Sequence, residues 1–214
     1  MMPMMPGRRV VLASGNAGKL AELGALLAPL GMDLVAQGTL GVTDAEEPWP
    51  SFVENAIAKA RHASRQTGLP ALADDSGLCV SALGGAPGVL SARYSLAAGG
   101  EAGDAANNAR LLAELADRTD LADRHAFFHC SLVMLRHADD PRPLIAEGSW
   151  RGSIVDAARG DGGFGYDPLF LPDGEELTAG ELPPARKNAL SHRGRALARL
   201  VARLRAEAES RGNG

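Results

Sequence analysis

Apolar positions along the first third of the chain follow two periods in turn. Val10, Val11 and Leu12 form a short apolar run that stops at Ser14-Gly15-Asn16-Ala17-Gly18, and Leu20, Leu23, Leu26, Leu27 and Leu30 then recur along one helical face. That order predicts a strand, a tight loop and a helix. Gly31 follows as a left-handed helix end and residues 32–36 as a second strand, so the chain opens on a βαβ-like unit. After a polar stretch, Ser51 and Glu54 have the spacing of a capping box. They open a helix with Phe52, Ala56, Ile57 and Ala60 on one face and Gly68 at its end. A short strand over 71–73 then ends in Asp74 and Asp75.

Further on, an apolar stretch at 78–83 and a Gly/Pro-rich stretch at 84–88 precede a helix around 107–116 with Leu111, Leu112 and Leu115 inward. Ala126, Phe128, Cys130, Leu132 and Met134 alternate along a strand that turns at Asp139-Asp140-Pro141 into 144–148, an antiparallel hairpin. A flexible loop at 160–165 leads into a strand at 169–171. An irregular segment covers 172–184, and a helix rich in Ala, Leu and Arg covers 191–209. Strands alternating with helices, plus one hairpin, predict an α/β fold with a mixed sheet and flanking helices.

Composition narrows the function classes. With 214 residues, 45% of them apolar, the chain can bury about 70% of its extended-chain surface in one domain over 8–210. Lys and Arg number 22 against 26 Asp and Glu, and this net charge of −4 excludes a broad grip on nucleic acid. Cys79 and Cys130 are too few for a disulfide framework or a thiolate zinc site, which points to a cytoplasmic setting. Residues 1–7 lack the apolar core of a signal peptide and read as a frayed tail. The longest uncharged run, 76–92, is broken by glycines and Pro87, so no membrane span is expected.

Candidate chemistry gathers at a few places. Ser14 to Lys19 sits where a strand gives way to a helix, a place where backbone N–H groups and an ammonium can face phosphate. Ala13 and Leu20 rule out a Walker A loop, and a plain βα turn is the alternative. Asp74 and Asp75 at a strand end suit Mg²⁺ or proton transfer, or else cap an Asp-Gly type turn. Glu46 and Glu47 offer a further carboxylate, and Lys59 points either to phosphate or to water. In Gly162-Gly163-Phe164-Gly165-Tyr166-Asp167-Pro168 an aromatic between glycines lets a planar base stack, although a glycine-rich turn looks the same. Ser191-His192-Arg193 places cations at a helix start, where something rich in acceptors would balance them, with Lys187 upstream. His62, His125, His129 and His137 show no zinc spacing.

Taken in chain order, these segments, with 52–56 and 87–94, resemble the inosine triphosphate pyrophosphatase family over about 8–205. The resemblance implies an elongated mixed α/β fold of two lobes around a central cleft, usually homodimeric. It also implies Mg²⁺-dependent hydrolysis of ITP, dITP and XTP to monophosphate and pyrophosphate. By resemblance, Ser14, Gly15, Asn16, Ala17, Gly18, Lys19, Lys59 and Ser76 bind substrate. Asp75 accepts a proton and holds Mg²⁺ with Glu47, Glu46 leaving that register open; Asp74 and Lys19 assist. Phe164, Gly165, Tyr166, Asp167, Lys187, His192 and Arg193 surround the base. Two other readings stay open: a non-catalytic purine-nucleotide sensor, and a pyrophosphatase for other modified nucleotides.

Overall fold

A computed structural model describes residues 8–14, 20, 23–24 and 27–212. Strand β1 (Arg8–Leu12) pairs in parallel with β2 (Met32–Ala36) and with β3 (Ala71–Val80). Between β1 and β2, the described residues Leu20, Leu23, Gly24 and Leu27 are helical and lead into a 3-10 turn closed by Gly31 at φ 72°, the predicted left-handed end. Strands β4 (His125–Leu135), β5 (Leu144–Ile154) and β6 (Phe170–Pro172) complete a six-stranded sheet of order β2-β1-β3-β4-β5-β6. The segment joining the neighbours β4 and β5 is far too short for a crossover, so they run antiparallel, as β5 and β6 do. The sheet is mixed, as its pattern predicts.

Four helices are fully described: α1 (Phe52–Thr67), α2 (Asp104–Glu114), α3 (Pro184–Leu190) and α4 (His192–Gly212). Helix α1 starts at the predicted cap, where Ser51 Oγ accepts the Glu54 N–H, and ends at Gly68 in the left-handed region. Helix α3 falls where the prolines predict the edge of an irregular segment, because Pro184 occupies a first-turn position where its missing N–H costs nothing.

The largest departure concerns β3. The strand does not stop at Ala73; it continues through Asp74-Asp75-Ser76-Gly77 to Val80, and only Ser76 of its ten residues is more than marginally exposed. The acidic pair therefore stands in the middle of a buried strand. Asp75 is held there by an ion pair described below.

Contacts divide the chain into two compact units, Met1–Asp75 with Ser131–Glu147 and Ala196–Gly214, and Ser76–Cys130 with Gly148–Arg195. In the first, Ala56, Ala60 and Ala63 of α1 meet Val11, Ala71, Ala73, Val133 and Leu135, small residues that let the helix approach the strands closely. In the second, Leu111 of α2 and Leu115, which caps that helix, join Leu78, Val80, Phe128, Trp150, Ile154, Tyr166 and Phe170. Phe170 meets Phe128 edge-on at 4.8 Å between centroids. Cys79 and Cys130 are buried thiols, and burial pushes the Cys79 thiol up to about 11. Among the described residues, no helix is long and apolar enough to cross a membrane.

Candidate active site

In the first unit the acidic residues converge on one cation. The Lys59 ammonium donates to Glu47 Oε1 at 2.7 Å and to Asp75 Oδ1 at 3.0 Å. Lys59 and Asn55 stand four residues apart on α1, hence on one face. Asn55 Nδ2 reaches the other oxygen, Asp75 Oδ2, at 3.3 Å, so one helix face engages both ends of the carboxylate. The Asn55 amide also clamps the loop that carries Glu47: Oδ1 accepts the Trp49 N–H and Nδ2 donates to the Trp49 carbonyl, each at 3.1 Å. Glu46 is exposed, whereas Glu47 is half-buried on Lys59. Asp74, 2% exposed, alternates to the opposite face of β3.

Burial pushes the Asp75 carboxyl upward, outweighing the Lys59 charge and the hydrogen bonds from Lys59 and Asn55 that pull it down. For Lys59, burial alone would lower the ammonium, and the neighbouring Asp75 and Glu47 charges reverse that and raise it. The raised ammonium is the mark of an ion pair. The raised carboxyl is the cost of holding that pair under cover.

The second unit holds the other candidates. Arg193 Nη2 donates to Ser76 Oγ at 3.1 Å, and Ser76 directly follows Asp75 on β3. The Phe164 ring is 55% exposed, with Lys187 Nζ and Arg193 Cζ each 5.3 Å from its centroid. Asp167, 4% exposed, accepts the Phe164 N–H at 2.7 Å and the Lys187 ammonium at 2.6 Å through the same oxygen. Gly163 has φ +80°, and a Cβ there would run into the Asp167 carboxylate, so the turn requires glycine. Gly165 gives its N–H to Asp104 Oδ2 at 2.6 Å and takes a bond from Asn108 Nδ2 at 3.0 Å.

Two expected base-site residues lie deeper than their pattern suggests. Tyr166 is 3% exposed, its hydroxyl donates to the Ser91 carbonyl at 2.9 Å, and burial pushes it well up. His192 is 7% exposed and stacks on Phe128 at 4.8 Å and 12°. Both pack as anchors of the core. Ser14, two residues past β1, has its N–H on the Leu12 carbonyl at 2.9 Å, whereas Gly15, Asn16, Ala17, Gly18 and Lys19 lie outside the described residues. Asp104 and Asn108 carry no pattern that singles them out in the sequence, and Asn55 stands there only as a member of the 52–56 segment.

Among the described residues, no group of three or more His, Cys, Asp or Glu could hold a metal ion. Two carboxylates on a shared cation nevertheless fit Mg²⁺, which takes few protein oxygens and completes its shell with water and phosphate. Two surface cavities lie elsewhere: about 350 Å³ beside His125, Ser153 and Glu175, and about 500 Å³ along α1 beside Trp49, Arg61 and Arg65.

Comparison with known proteins agrees with the resemblance seen in the motifs. The Ham1 family profile matches residues 10–203. A dITP/XTP pyrophosphatase of Ralstonia nicotianae is 67% identical over 198 residues, 92% of this chain and 97% of that protein. One from Burkholderia pseudomallei is 63% identical over 196 residues, covering 92% and 93%. Among solved structures, a HAM1 protein from Coxiella burnetii superposes with a TM-score of 0.86 at 49% identity, covering 92% of this chain and 98% of that one. With the family pattern spanning nearly the whole chain and close relatives matching end to end, the chain belongs to the Ham1 family.

Proposed function

We propose that the protein hydrolyses dITP, XTP and ITP to the nucleoside monophosphate and pyrophosphate, and that it requires Mg²⁺ to do so. The observation that carries this reading is the convergence of Asp75 and Glu47, from a strand and a distant loop, on the single Lys59 ammonium. A sensor that only binds nucleotides has no use for such a set. The names of the relatives support the substrate class.

Asp75 and Glu47 would hold the ion, which when bound neutralises phosphate oxygens and polarises the scissile bond. Asp75 takes the proton of the attacking water through a second water, since a cation held on the same carboxylate lowers its own basicity. Asp74 braces that strand, and Lys59 donates to phosphate once another cation satisfies the carboxylates. Ser14 and the N–H groups of Gly15, Asn16, Ala17 and Gly18, with Lys19, bind the phosphate chain, a role resting on their place in the sequence.

Phe164 stacks on the base, and Arg193 donates to its 6-oxo group, an acceptor that adenine replaces with a donor. Lys187 and Ser76 complete the polar rim. Gly165, Tyr166, Asp167 and His192 hold this surface in place. We further propose a cytoplasmic homodimer; the buried thiols Cys79 and Cys130 suit a reducing compartment.

The test is product analysis. Purified protein with Mg²⁺ and, separately, dITP, XTP, ITP, ATP and GTP should release pyrophosphate and monophosphate from the first three. Asp75→Asn should abolish the reaction. Diphosphate with orthophosphate, or near-normal turnover by Asp75→Asn, would overturn the assignment.

A further inference from the structure

Phe164 is more than half exposed, so packing does little to fix its ring, and the backbone must do so. The next residue is the most permissive one available. Gly165 has φ +62°, and nothing lies within 4 Å of where its Cβ would stand, so no steric wall restrains it. Its restraint comes from helix α2. Asp104 Oδ2 accepts the Gly165 N–H at 2.6 Å, and Asn108 Nδ2 donates to the Gly165 carbonyl at 3.0 Å.

Those two side chains are four residues apart and project from one helix face, gripping both polar groups of a single residue. The helix is itself anchored. Leu111 and Leu115 are fully buried, and Asn107 accepts the Ser95 N–H at 2.8 Å and donates to the Ala92 carbonyl at 3.2 Å. The remaining polar atom of the clamp, Asn108 Oδ1, is buried and has no hydrogen-bond partner among the described residues. A purely structural amide would rarely keep such a cost.

We propose that Asp104 and Asn108 are positioning residues for base selection: by fixing the Phe164–Gly165 backbone they set where the aromatic platform stands relative to Lys187 and Arg193. This rests on Phe164 being the base platform. A platform free to drift lets a purine stack in several registers, in most of which its 6-position misses the donors. Affinity and discrimination then fall together. Phosphate chemistry at Asp75, Glu47 and Lys59 involves no member of the clamp.

The experiment measures kcat and KM for dITP and dATP in Asp104→Ala, Asp104→Asn, Asn108→Asp and Phe164→Ala, with melting temperature as a control on folding. Asn108→Asp keeps the shape of the side chain and loses the donor; Asp104→Asn keeps an acceptor. Asp104→Ala and Asn108→Asp should raise KM for dITP about tenfold, the upper worth of one hydrogen bond, and lower the dITP preference similarly, with kcat within about twofold. Asp104→Asn should restore most of the loss. In a Phe164→Ala background, Asp104→Ala should add less than about twofold, because the clamp then has nothing left to position.

If Phe164→Ala raises KM while the clamp variants leave KM and preference unchanged, the clamp is refuted and the platform stands. If Phe164→Ala itself changes neither, the platform reading fails and the clamp with it. A fall in kcat and melting temperature with no change in preference would leave the two residues a structural role only.

Discussion

Replacing Lys59 by methionine should destabilise the metal-free protein and should do so much less when Mg²⁺ is present. The ammonium bridges Glu47 and Asp75 at 2.7 and 3.0 Å, and the side chains are only 14%, 27% and 12% exposed, respectively. Removing one member of a fully buried pair costs about 3–5 kcal/mol, and an exposed pair is worth under about 1. Partial exposure, and the relief of no longer burying an ammonium, place the loss at about 2–3 kcal/mol, or a melting temperature lower by roughly 4–12 °C for a chain this long. A divalent ion that takes the same two oxygens substitutes for the lost charge, so millimolar Mg²⁺ should recover most of the deficit through binding to the folded state alone.

The deficit also depends on pH. Burial holds the folded Asp75 carboxyl above its ordinary value, so this group's contribution is most favourable below that value and is lost as pH rises through the folded one. Without the ammonium the carboxylate is costlier still, and the deficit should shrink toward about pH 4 as Asp75 takes up a proton. Thermal melts of wild type and Lys59→Met in chelator and in Mg²⁺ check this. A deficit of equal size in both would mean that the carboxylates do not share a cation site.

Two more changes test the supports of the fold and of the site. Asp140, 2% exposed, accepts Arg136 Nε at 2.8 Å, Arg136 Nη2 at 3.0 Å and the Arg136 and Arg142 N–H groups at 3.0 and 2.9 Å, and these bonds hold its carboxyl far below the usual range. Asp140→Asn should cost about 1–2 kcal/mol at pH 7, since the partner Arg136 lies near solvent. A depressed carboxyl stabilises above its ordinary value and loses that as pH falls toward the folded one, so the gap between urea midpoints of variant and wild type should begin to close below about pH 4 and keep narrowing; a constant gap would refute the ion pair. Asn55→Ala removes all three bonds to Trp49 and Asp75 and should cost about 2 kcal/mol. It should also make Trp49 easier to quench, and unchanged quenching would show that the amide does not hold the Glu47 loop.

The chain shows in its own order the parts of the fold that rest on local chemistry. The β1 run, the Gly31 end, the Ser51 cap and the β4 alternation each depend on neighbours a few residues away, and each forms where the pattern puts it. The run of β3 through two aspartates is different. Adjacent carboxylates followed by Ser-Gly have the chemistry of a turn, whereas a lysine sixteen residues upstream and Asn55 pair Asp75 within a buried strand. Sequence spacing leaves Lys59 facing either phosphate or water; the structure instead buries it on Asp75 and Glu47. Tyr166 and His192 stand in segments that the sequence marks, but their burial depends on Ser91 and Phe128, partners no local pattern names.

The residues that sequence reasoning misses share a geometry. Asn55, beside the candidate Lys59, and Asp104 with Asn108 each belong to a pair four apart on a helix that neighbouring alanines or leucines lock into a core. Each pair spans about 6 Å and closes on both polar ends of one target, the two oxygens of Asp75 or the N–H and carbonyl of Gly165. A helix is stiff over one turn, so two contacts from it remove the rotation that one contact would leave. That matters most where the target has little packing of its own: a carboxylate that must face a cation, and a glycine beside an exposed ring. Polar pairs at this spacing, set among apolar positions of the same helix, are therefore the signal by which such supports could be found in a sequence before its structure is known.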